Sequence, residues 1–154
     1  MSTVIEAFAE FFKESKYSYE IHDGCITSQF RINSNISNID IIVYPSADKY
    51  TVFAKCPLLA SESSRSAVSE YLMRANFNMI SGCFEMNYLD GEVRFKVNQY
   101  CKDLLLSKEN MKRSIMLPLA MFNRYGNGLL NVMVNGSSPE DEIRKAEKSL
   151  GRKE

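Results

Sequence analysis

A histidine, an acid and a thiol lie close together near the start of this sequence and could form a catalytic set. His22 is the single histidine of the chain, and Asp23 and Cys25 follow it. The imidazole would act as a general base, and the thiol or one of the many serines would be the nucleophile. Adjacent residues of a strand point to opposite faces, however, so Asp23 is poorly placed to orient the ring. We therefore expect an exposed turn histidine, and a small enzyme that uses His22 or a thiol is the alternative.

The four cysteines do not have the spacing of a metal site. Cys25, Cys56, Cys83 and Cys101 form no C-x-x-C pair, and a zinc site would also need more than one histidine. We expect reduced thiols that behave as buried or half-buried small hydrophobic residues. The sequence contains no G-x-S-x-G or phosphate-loop motif, and "YGNG" at 125–128 has too few glycines for a nucleotide fingerprint. We predict no catalytic, cofactor-binding or metal site.

Length and charge exclude several other classes of protein. The chain has 154 residues and 45% hydrophobic content, which suits one domain with a substantial core. Nineteen basic residues balance nineteen acidic ones, so the chain has no general attraction to nucleic acid. It has no apolar run of the roughly 18 residues that span a membrane, and its first residues do not resemble a signal peptide. We expect a cytoplasmic protein without a nucleic-acid or membrane partner.

The elements that would position these residues begin with the hairpin "FEMNYLDGEVRFKV", residues 84–97. Asp90-Gly91 predicts a two-residue type I′ turn, in which both central residues have positive φ. The turn would pair Phe84 with Val97 and Glu85 with Lys96. The alternation of apolar and polar residues predicts the same pairing, because a slip of one residue would exchange the two faces.

A second Asp-Gly turn, Asp23-Gly24, predicts a hairpin that pairs Ile21 with Ile26 and Tyr17 with Phe30. Apolar spacing predicts further elements along the chain. They are a helix to about Ser15, strands over Cys25–Ile32, Ile36–Tyr44 and Tyr50–Cys56, a helix through Val68 and Met79, a helix capped by Ser107, and a short helix capped by Ser138. Within the Ser107 helix, Pro118 predicts a kink, and "GNG" at 126–128 predicts that the helix is weakened or broken.

This order predicts an α+β fold with a mostly antiparallel sheet of five or six strands and helices packed on one face. The element order is α-β-β-β(-β)-α-β-β-α. We predict a single domain over residues 1–136 and a short charged helical tail over residues 137–154, whose mixed charges favour a solvated helix.

One strand carries apolar residues on both sides. If Ile39, Ile41 and Val43 face the core, Ile42 and Tyr44 lie on the opposite face, and Phe53 of the next strand joins them. Three large apolar side chains on an outer sheet face predict a protein-binding patch. Alternatively, a loop or the first helix covers them.

The segment "YLMRANFNMISGCFEMNYLDGEVRFKVNQY" resembles the YbjN family, bacterial domains proposed to regulate sensory transduction. The resemblance rests on a helix that ends near Asn76, on Gly82, on the alternating strand Phe84–Met86 and on the run from Asp90 through Val93 to Arg94. It extends from the first helix to "NGSSPEDEI", and the chain departs from the family at Pro118 and "GNG". It implies the fold of type III secretion chaperones, which bind polypeptides, commonly dimerise and use no cofactor.

The sequence therefore predicts a non-catalytic regulator or chaperone-like domain. It would bind a protein partner, or a second copy of itself in a homodimer, through a sheet face or by adding a strand at a sheet edge. A small-molecule sensor is a further alternative, and it would need an enclosed apolar cavity between sheet and helices.

Overall fold

The computed structural model of the chain describes residues 3–101 and 106–148. This part of the chain folds into four α-helices, a 3-10 turn (Glu62–Ser64) and six strands. The helices are α1 (Thr3–Glu14), α2 (Arg65–Asn76), α3 (Lys108–Asn135) and α4 (Pro139–Glu147). The strands are β1 (Glu20–His22), β2 (Cys25–Arg31), β3 (Asn38–Pro45), β4 (Lys49–Leu59), β5 (Cys83–Met86) and β6 (Glu92–Tyr100).

All six strands belong to one antiparallel sheet, in the order β1-β2-β3-β4-β6-β5. The predicted α+β class is confirmed, and the sheet has six strands. The two edge strands are the shortest, with three residues in β1 and four in β5. Short edges expose few unpaired backbone groups to other chains.

The core lies between the sheet and the helices, on the face predicted by the period-2 pattern. The strand pairings align Ile26, Val43, Val52 and Val97 in one inward row across β2, β3, β4 and β6. Helix α1 packs its apolar stripe over this region, and the ring of Phe8 meets the sheet edge-to-face with its centroid 4.9 Å from that of Tyr50. Full burial of an aromatic side chain contributes roughly 1.5–3 kcal/mol, so the aromatic stripe of α1 fixes the helix on the sheet.

The hairpin of β5 and β6 forms, but the predicted register is wrong by two residues. Phe84 faces Phe95 rather than Val97, and Glu85 faces Arg94 rather than Lys96. Asp90 does not have the positive φ that a type I′ turn needs, whereas Gly91 has φ +82°. The connection is a longer loop, residues 87–91, in which the Gly91 N–H donates to the Asn87 carbonyl at 2.7 Å. A shift of two residues preserves the faces, so the predicted inward and outward sets remain correct.

A tertiary contact accounts for the longer loop. The Ala60 N–H donates to the Gly91 carbonyl at 2.8 Å, and a Cβ on Gly91 would lie 2.0 Å from the Ala60 carbonyl oxygen. Only glycine permits this approach, so Gly91 is used to dock the loop on the end of β4.

The first hairpin confirms the Asp23-Gly24 turn and the pairing of Ile21 with Ile26, but the predicted strand pairing of Tyr17 with Phe30 is wrong because β1 begins at Glu20. Asp23 and Gly24 both have positive φ, at 50° and 75°, and Ile21 pairs with Ile26. Tyr17 precedes β1, and it meets Phe30 through an edge-to-face ring contact at 5.0 Å.

The predicted break at "GNG" is wrong, because α3 continues through it to Asn135. A Cβ on Gly126 would lie 2.8 Å from Ser34 Oγ, and a Cβ on Gly128 would lie 2.4 Å from the hydroxyl oxygen of Tyr71. Because glycine has no side chain, Ser34 and Tyr71 can pack directly against the backbone of α3 at these two positions. Tertiary packing offsets the low helix propensity of the two glycines, about 1 kcal/mol each relative to alanine.

Asparagines fix the turn after β2 to the same part of α3. Asn123 Oδ1 and Asn127 Oδ1 accept hydrogen bonds at 2.7 Å from the backbone N–H groups of Asn33 and Asn35. The side chain of Ser107 caps the start of α3 as predicted, and Pro118 is buried within the helix.

Three strands differ from their predicted bounds, and the first of them, β2, ends at Arg31 rather than Ile32. The third strand begins at Asn38 rather than Ile36. Strand β4 continues past Pro57 to Leu59, and the pairing with β6 shifts between Lys55 and Leu59. A proline is tolerated in a strand at such an irregularity, because its missing N–H falls where ladder pairing is interrupted.

The charged tail begins with α4, which Ser138 caps by accepting from the N–H of Asp141 at 3.3 Å. The helix is docked as well as solvated: Glu142 is buried, and its carboxylate accepts from Asn131 Nδ2 at 3.3 Å. A division of the chain after residue 136 remains a prediction, and residues 149–154 of the tail lie outside the described residues.

Candidate functional site: the outer face of the sheet

The predicted patch lies on the sheet face that points away from the helices. Ile42 and Phe53 are direct partners across β3 and β4, and both are half-buried. Tyr44, two residues along β3, is 54% exposed. Their neighbours Val43 and Val52 are fully buried on the inner face. The predicted assignment of faces is therefore correct, while the predicted use of Ile42, Tyr44 and Phe53 in protein binding remains a prediction.

The strand register extends this patch into a row across the sheet. Thr27 lies opposite Ile42, and Lys96 lies opposite both Phe53 and Cys83. All of these residues are half-buried, so the face is partly apolar without being a continuous hydrophobic surface.

Charged side chains beside the row are paired with one another. Lys55 Nζ lies 2.6 Å from Glu92 Oε1, and Lys96 Nζ lies 2.8 Å from Glu85 Oε2. Arg94 also pairs with Glu85, and its guanidinium carbon lies 4.0 Å from the ring centroid of Phe53. The outward side chains of the six strands include Arg31, Lys49, Lys55, Arg94 and Lys96 as bases and Glu20, Asp40, Glu85 and Glu92 as acids. The face thus carries little net charge.

Glu85 is the centre of this ion-pair network. Burial by itself would raise the pKa of its carboxyl, but the hydrogen bonds from Lys96 and Arg94 outweigh burial and lower that pKa. The carboxylate is therefore charged at neutral pH and holds both bases beside the apolar row.

A groove of about 560 Å³ opens on this face near β1. Ile42 contributes its apolar part, and Glu20, Asp40 and Lys55 contribute charge. Its other lining residues are Ser18, Tyr19, Thr27, Ser28, Gln29 and Ile41. The groove continues the apolar row to the first edge of the sheet.

The β5 edge of the sheet is closed by a side chain. The amide of Asn76, the last residue of α2, donates from Nδ2 to the Phe84 carbonyl and accepts at Oδ1 from the Phe84 N–H, both at 2.8 Å. The amide thus occupies the two backbone groups that an added strand would use. Strand addition at β5 is blocked at Phe84 while this contact holds.

The histidine of the first hairpin is hydrogen-bonded to a carboxylate, and the thiol opposite it is not activated. His22 pairs with Cys25 across the turn, but its side chain is 66% exposed and its Nε2 lies 2.8 Å from Glu20 Oε2. Burial, and to a smaller extent the Asp23 carboxylate, raises the pKa of the Cys25 thiol. A raised pKa disfavours the thiolate that a nucleophilic cysteine needs. All four cysteines are free thiols.

A second cavity, of about 510 Å³, lies beside the C-terminal half of β6. Arg113 and Leu117 of α3 line one side of it, and Ile80 and Val97 lie on the other. Neither this cavity nor the outer groove is the enclosed space between sheet and helices that a sensor of the predicted kind would need.

Among residues 3–101 and 106–148, no three His, Cys, Asp or Glu side chains are grouped so that they could hold a metal ion. No helix in the described part of the chain combines the length and the apolar character required to cross a bilayer.

Sequence reasoning missed two features of these surfaces. Asn76 was recognised as part of a pattern, but its contact with Phe84 joins residues that only the fold brings together. The second cavity was not predicted, although Asn110, Arg113, Ser114 and Leu117 recur at helical spacing and could have indicated a shared face.

Comparison with known proteins identifies the fold of this chain through a solved structure. No protein-family model and no curated protein matches the sequence. Among solved structures, the chain is similar to the crystal structure of YbjN from E. coli, which is described there as a proposed transcription regulator. The TM-score is 0.59 at 7% sequence identity, over 77% of this chain and 85% of that one. This similarity shows that the chain has a YbjN-like fold.

Proposed function

We propose, from the YbjN-like fold of this chain, that it is a non-catalytic polypeptide-binding domain that uses the outer face of its sheet. The observation that carries the proposal is the half-buried row through Ile42 and Phe53, with the exposed Tyr44 beside it. Helices cover the opposite face, so this face is available to another chain. A regulatory role, of the kind proposed for YbjN, would act through such binding.

The charges on the face indicate what kind of partner fits it. Because Lys55, Arg94 and Lys96 are already paired with Glu85 and Glu92, a docking chain need not supply opposite charges. A near-neutral face also does not repel a copy of itself, and in a two-fold dimer the same patch meets itself. We therefore propose a second copy of the chain as the first partner to test.

The size of the face indicates a weak interface. Strands lie about 4.8 Å apart and rise about 3.4 Å per residue, so six strands of these lengths present roughly 700 Å². Specific interfaces typically bury about 800 Å² per partner, and transient ones bury less. We expect self-association that depends on concentration rather than a permanent dimer. We also propose a cytoplasmic location, where the four thiols would stay reduced.

Two tyrosines of similar exposure provide a matched test. Tyr44 lies on the outer face and is 54% exposed, whereas Tyr88 lies in the β5–β6 loop and is 57% exposed. A photocrosslinking amino acid is placed at either position, and the purified protein is irradiated across a range of concentrations. We expect covalent dimers from position 44 and few from position 88. Sedimentation velocity of Ile42→Asp should show loss of the associated species.

Sedimentation and crosslinking can also contradict the proposal. A strict monomer by sedimentation, together with equal and weak crosslinking from both positions in the purified protein and in cells, would leave the outer face without a binding role. Crosslinking in cells from position 44 alone, with a monomer in vitro, would assign the face to a different polypeptide.

A further inference from the structure

We propose that the cavity beside β6 binds a small organic acid, with its carboxylate on Arg113 and its apolar part on Ile80, Val97 and Leu117. This site is separate from the outer-face function, and either proposal can fail without the other.

The cavity exists because β6 is longer than its neighbour. The last residue pair between β5 and β6 is Cys83 with Lys96, whereas β6 continues to Tyr100. Beyond Lys96, β5 no longer covers that edge of β6, and the turn before β5 and the first half of α3 border the space instead. Its volume of about 510 Å³ lies within the roughly 300–1,000 Å³ typical of small-molecule sites.

Charge in the cavity is positive and mostly localised on one residue. Lys96 and Arg113 are the bases among its lining residues, which include no carboxylate. The Lys96 ammonium is already paired with Glu85 at 2.8 Å. Within the described residues Arg113 has no ion pair or hydrogen bond, and it is exposed. One uncompensated guanidinium matches a monoanion, and its planar fork can hold both oxygens of a carboxylate.

Polar and apolar groups enter the cavity from one face of α3. Asn110, Arg113, Ser114 and Leu117 follow the i, i+3, i+4, i+7 spacing, so they lie along a single stripe. Leu117 is at the apolar end of this stripe, and Asn110 and Arg113 are at the polar end. Asn98 borders the cavity from β6, but its side chain lies on the outer face of the sheet, where its Oδ1 accepts a hydrogen bond from the Thr51 hydroxyl at 2.7 Å. The carboxylate of the ligand would therefore be held from the α3 side, by Arg113.

The lining favours a carboxylate with an aliphatic body over a phosphate. A phosphate dianion is best matched by two or more free cations, and the second cation here is shared with Glu85. Ile80 is fully exposed, which is costly for an aliphatic side chain in water and is relieved if a ligand packs against it.

A titration of the ¹⁵N-labelled full chain with octanoate tests the proposal directly. We expect saturable amide shifts that are confined to residues 80–83, 97–99 and the first turns of α3. Octanol, which lacks the charge, should bind more weakly. Arg113→Gln should weaken octanoate binding about tenfold, the loss expected from one charge-assisted contact. Its stability should be unchanged, because the side chain is exposed.

The neighbouring base supplies the control. Lys112 is exposed on α3 and does not line the cavity, so Lys112→Gln should bind octanoate as the unmodified chain does. Equal weakening by Lys112→Gln and Arg113→Gln would show nonspecific charge attraction and would overturn the proposal. Absence of saturable shifts, equal binding of octanol, or tighter binding of inorganic phosphate would overturn it as well.

Discussion

The contact between Asn76 and the edge strand gives the sharpest test of how this fold is held together. The side-chain amide forms two hydrogen bonds of 2.8 Å with the backbone of Phe84, one in each direction. Phe84 as a whole residue is only 3% exposed, so its backbone has little access to water. Replacing Asn76 by alanine removes both partners at once and leaves a donor and an acceptor of the edge strand unpaired.

The expected loss follows from those two bonds. A net contribution of about 0.5–1.5 kcal/mol each predicts that Asn76→Ala lowers the free energy of unfolding by roughly 1–3 kcal/mol. Alanine has the higher helix propensity, so the end of α2 itself would not be weakened. For a chain of this size a loss of about 2 kcal/mol corresponds to a Tm lower by about 4–8 °C.

Two measurements check this expectation. Urea denaturation gives the loss of stability, and hydrogen exchange gives its location. The Phe84 amide should exchange faster in Asn76→Ala, while the amide of Phe95, on the adjacent strand, should remain protected. Asn78 is exposed two residues further along the chain, and Asn78→Ala should leave both quantities unchanged.

If Asn76→Ala proved no less stable than Asn78→Ala and kept the protection at Phe84, the hydrogen bonds between Asn76 and Phe84 would contribute nothing to stability. If these hydrogen bonds do stabilise the fold, their removal also exposes the backbone groups of Phe84 at the β5 edge. Asn76→Ala should then aggregate more readily at high concentration than Asn78→Ala, through strand pairing at that edge.

Two further substitutions probe the helix packing and the ion-pair network. Gly128→Ala would place a Cβ 2.4 Å from the hydroxyl oxygen of the buried Tyr71, so urea denaturation should show a loss of about 1–3 kcal/mol in spite of alanine's better helix propensity. Glu85→Gln should remove a pH-dependent part of stability, because Lys96 and Arg94 outweigh burial and lower the pKa of Glu85 from 4.5. A lowered pKa in the folded state means that this stabilisation is present above the unfolded value and is lost as pH falls through the folded one. The difference in urea midpoint between Glu85→Gln and the unmodified chain should therefore shrink between about pH 7 and pH 3.

Each of these two substitutions, Gly128→Ala and Glu85→Gln, has a matched control. A Cβ on Gly126 would meet the side-chain ends of Ser34 and Ile36, at 2.8 and 3.2 Å, and these can move, so Gly126→Ala should cost less than Gly128→Ala. A Gly128→Ala chain as stable as the unmodified one would contradict the packing argument. Glu62 is exposed, and Glu62→Gln should show no such pH dependence. A midpoint difference for Glu85→Gln that stays constant with pH would refute the assignment of the network.

The two Asp-Gly pairs of the chain adopt different structures. Asp23-Gly24 forms the predicted type I′ turn, because short strands and local backbone preference decide that hairpin. Asp90-Gly91 has the same two residues but forms a different loop, because Gly91 is held against Ala60, the residue that follows β4. A local signal was overridden by a contact between residues 31 positions apart in the sequence.

The same distinction applies to the third helix and to the sites. "GNG" has low helix propensity, yet α3 passes through it because the glycines admit Ser34 and Tyr71. The outer placement of Ile42, Tyr44 and Phe53 followed from alternation alone, since the strand period fixes which side chains share a face. The cavity near Arg113 could not be derived in this way, because its walls come from three separate segments of the chain.

The amino-acid sequence by itself determined the α+β class, the order of elements, the two faces of the sheet and the turn at Asp23-Gly24. These features depend on periodicity and on backbone preferences that act within a few residues. Tertiary structure alone decided the register of the second hairpin, the continuity of α3, the closure of the β5 edge by Asn76 and the cavity beside β6. The physical reason is that each of these depends on a contact between distant segments, whose geometry exists only after the chain has folded.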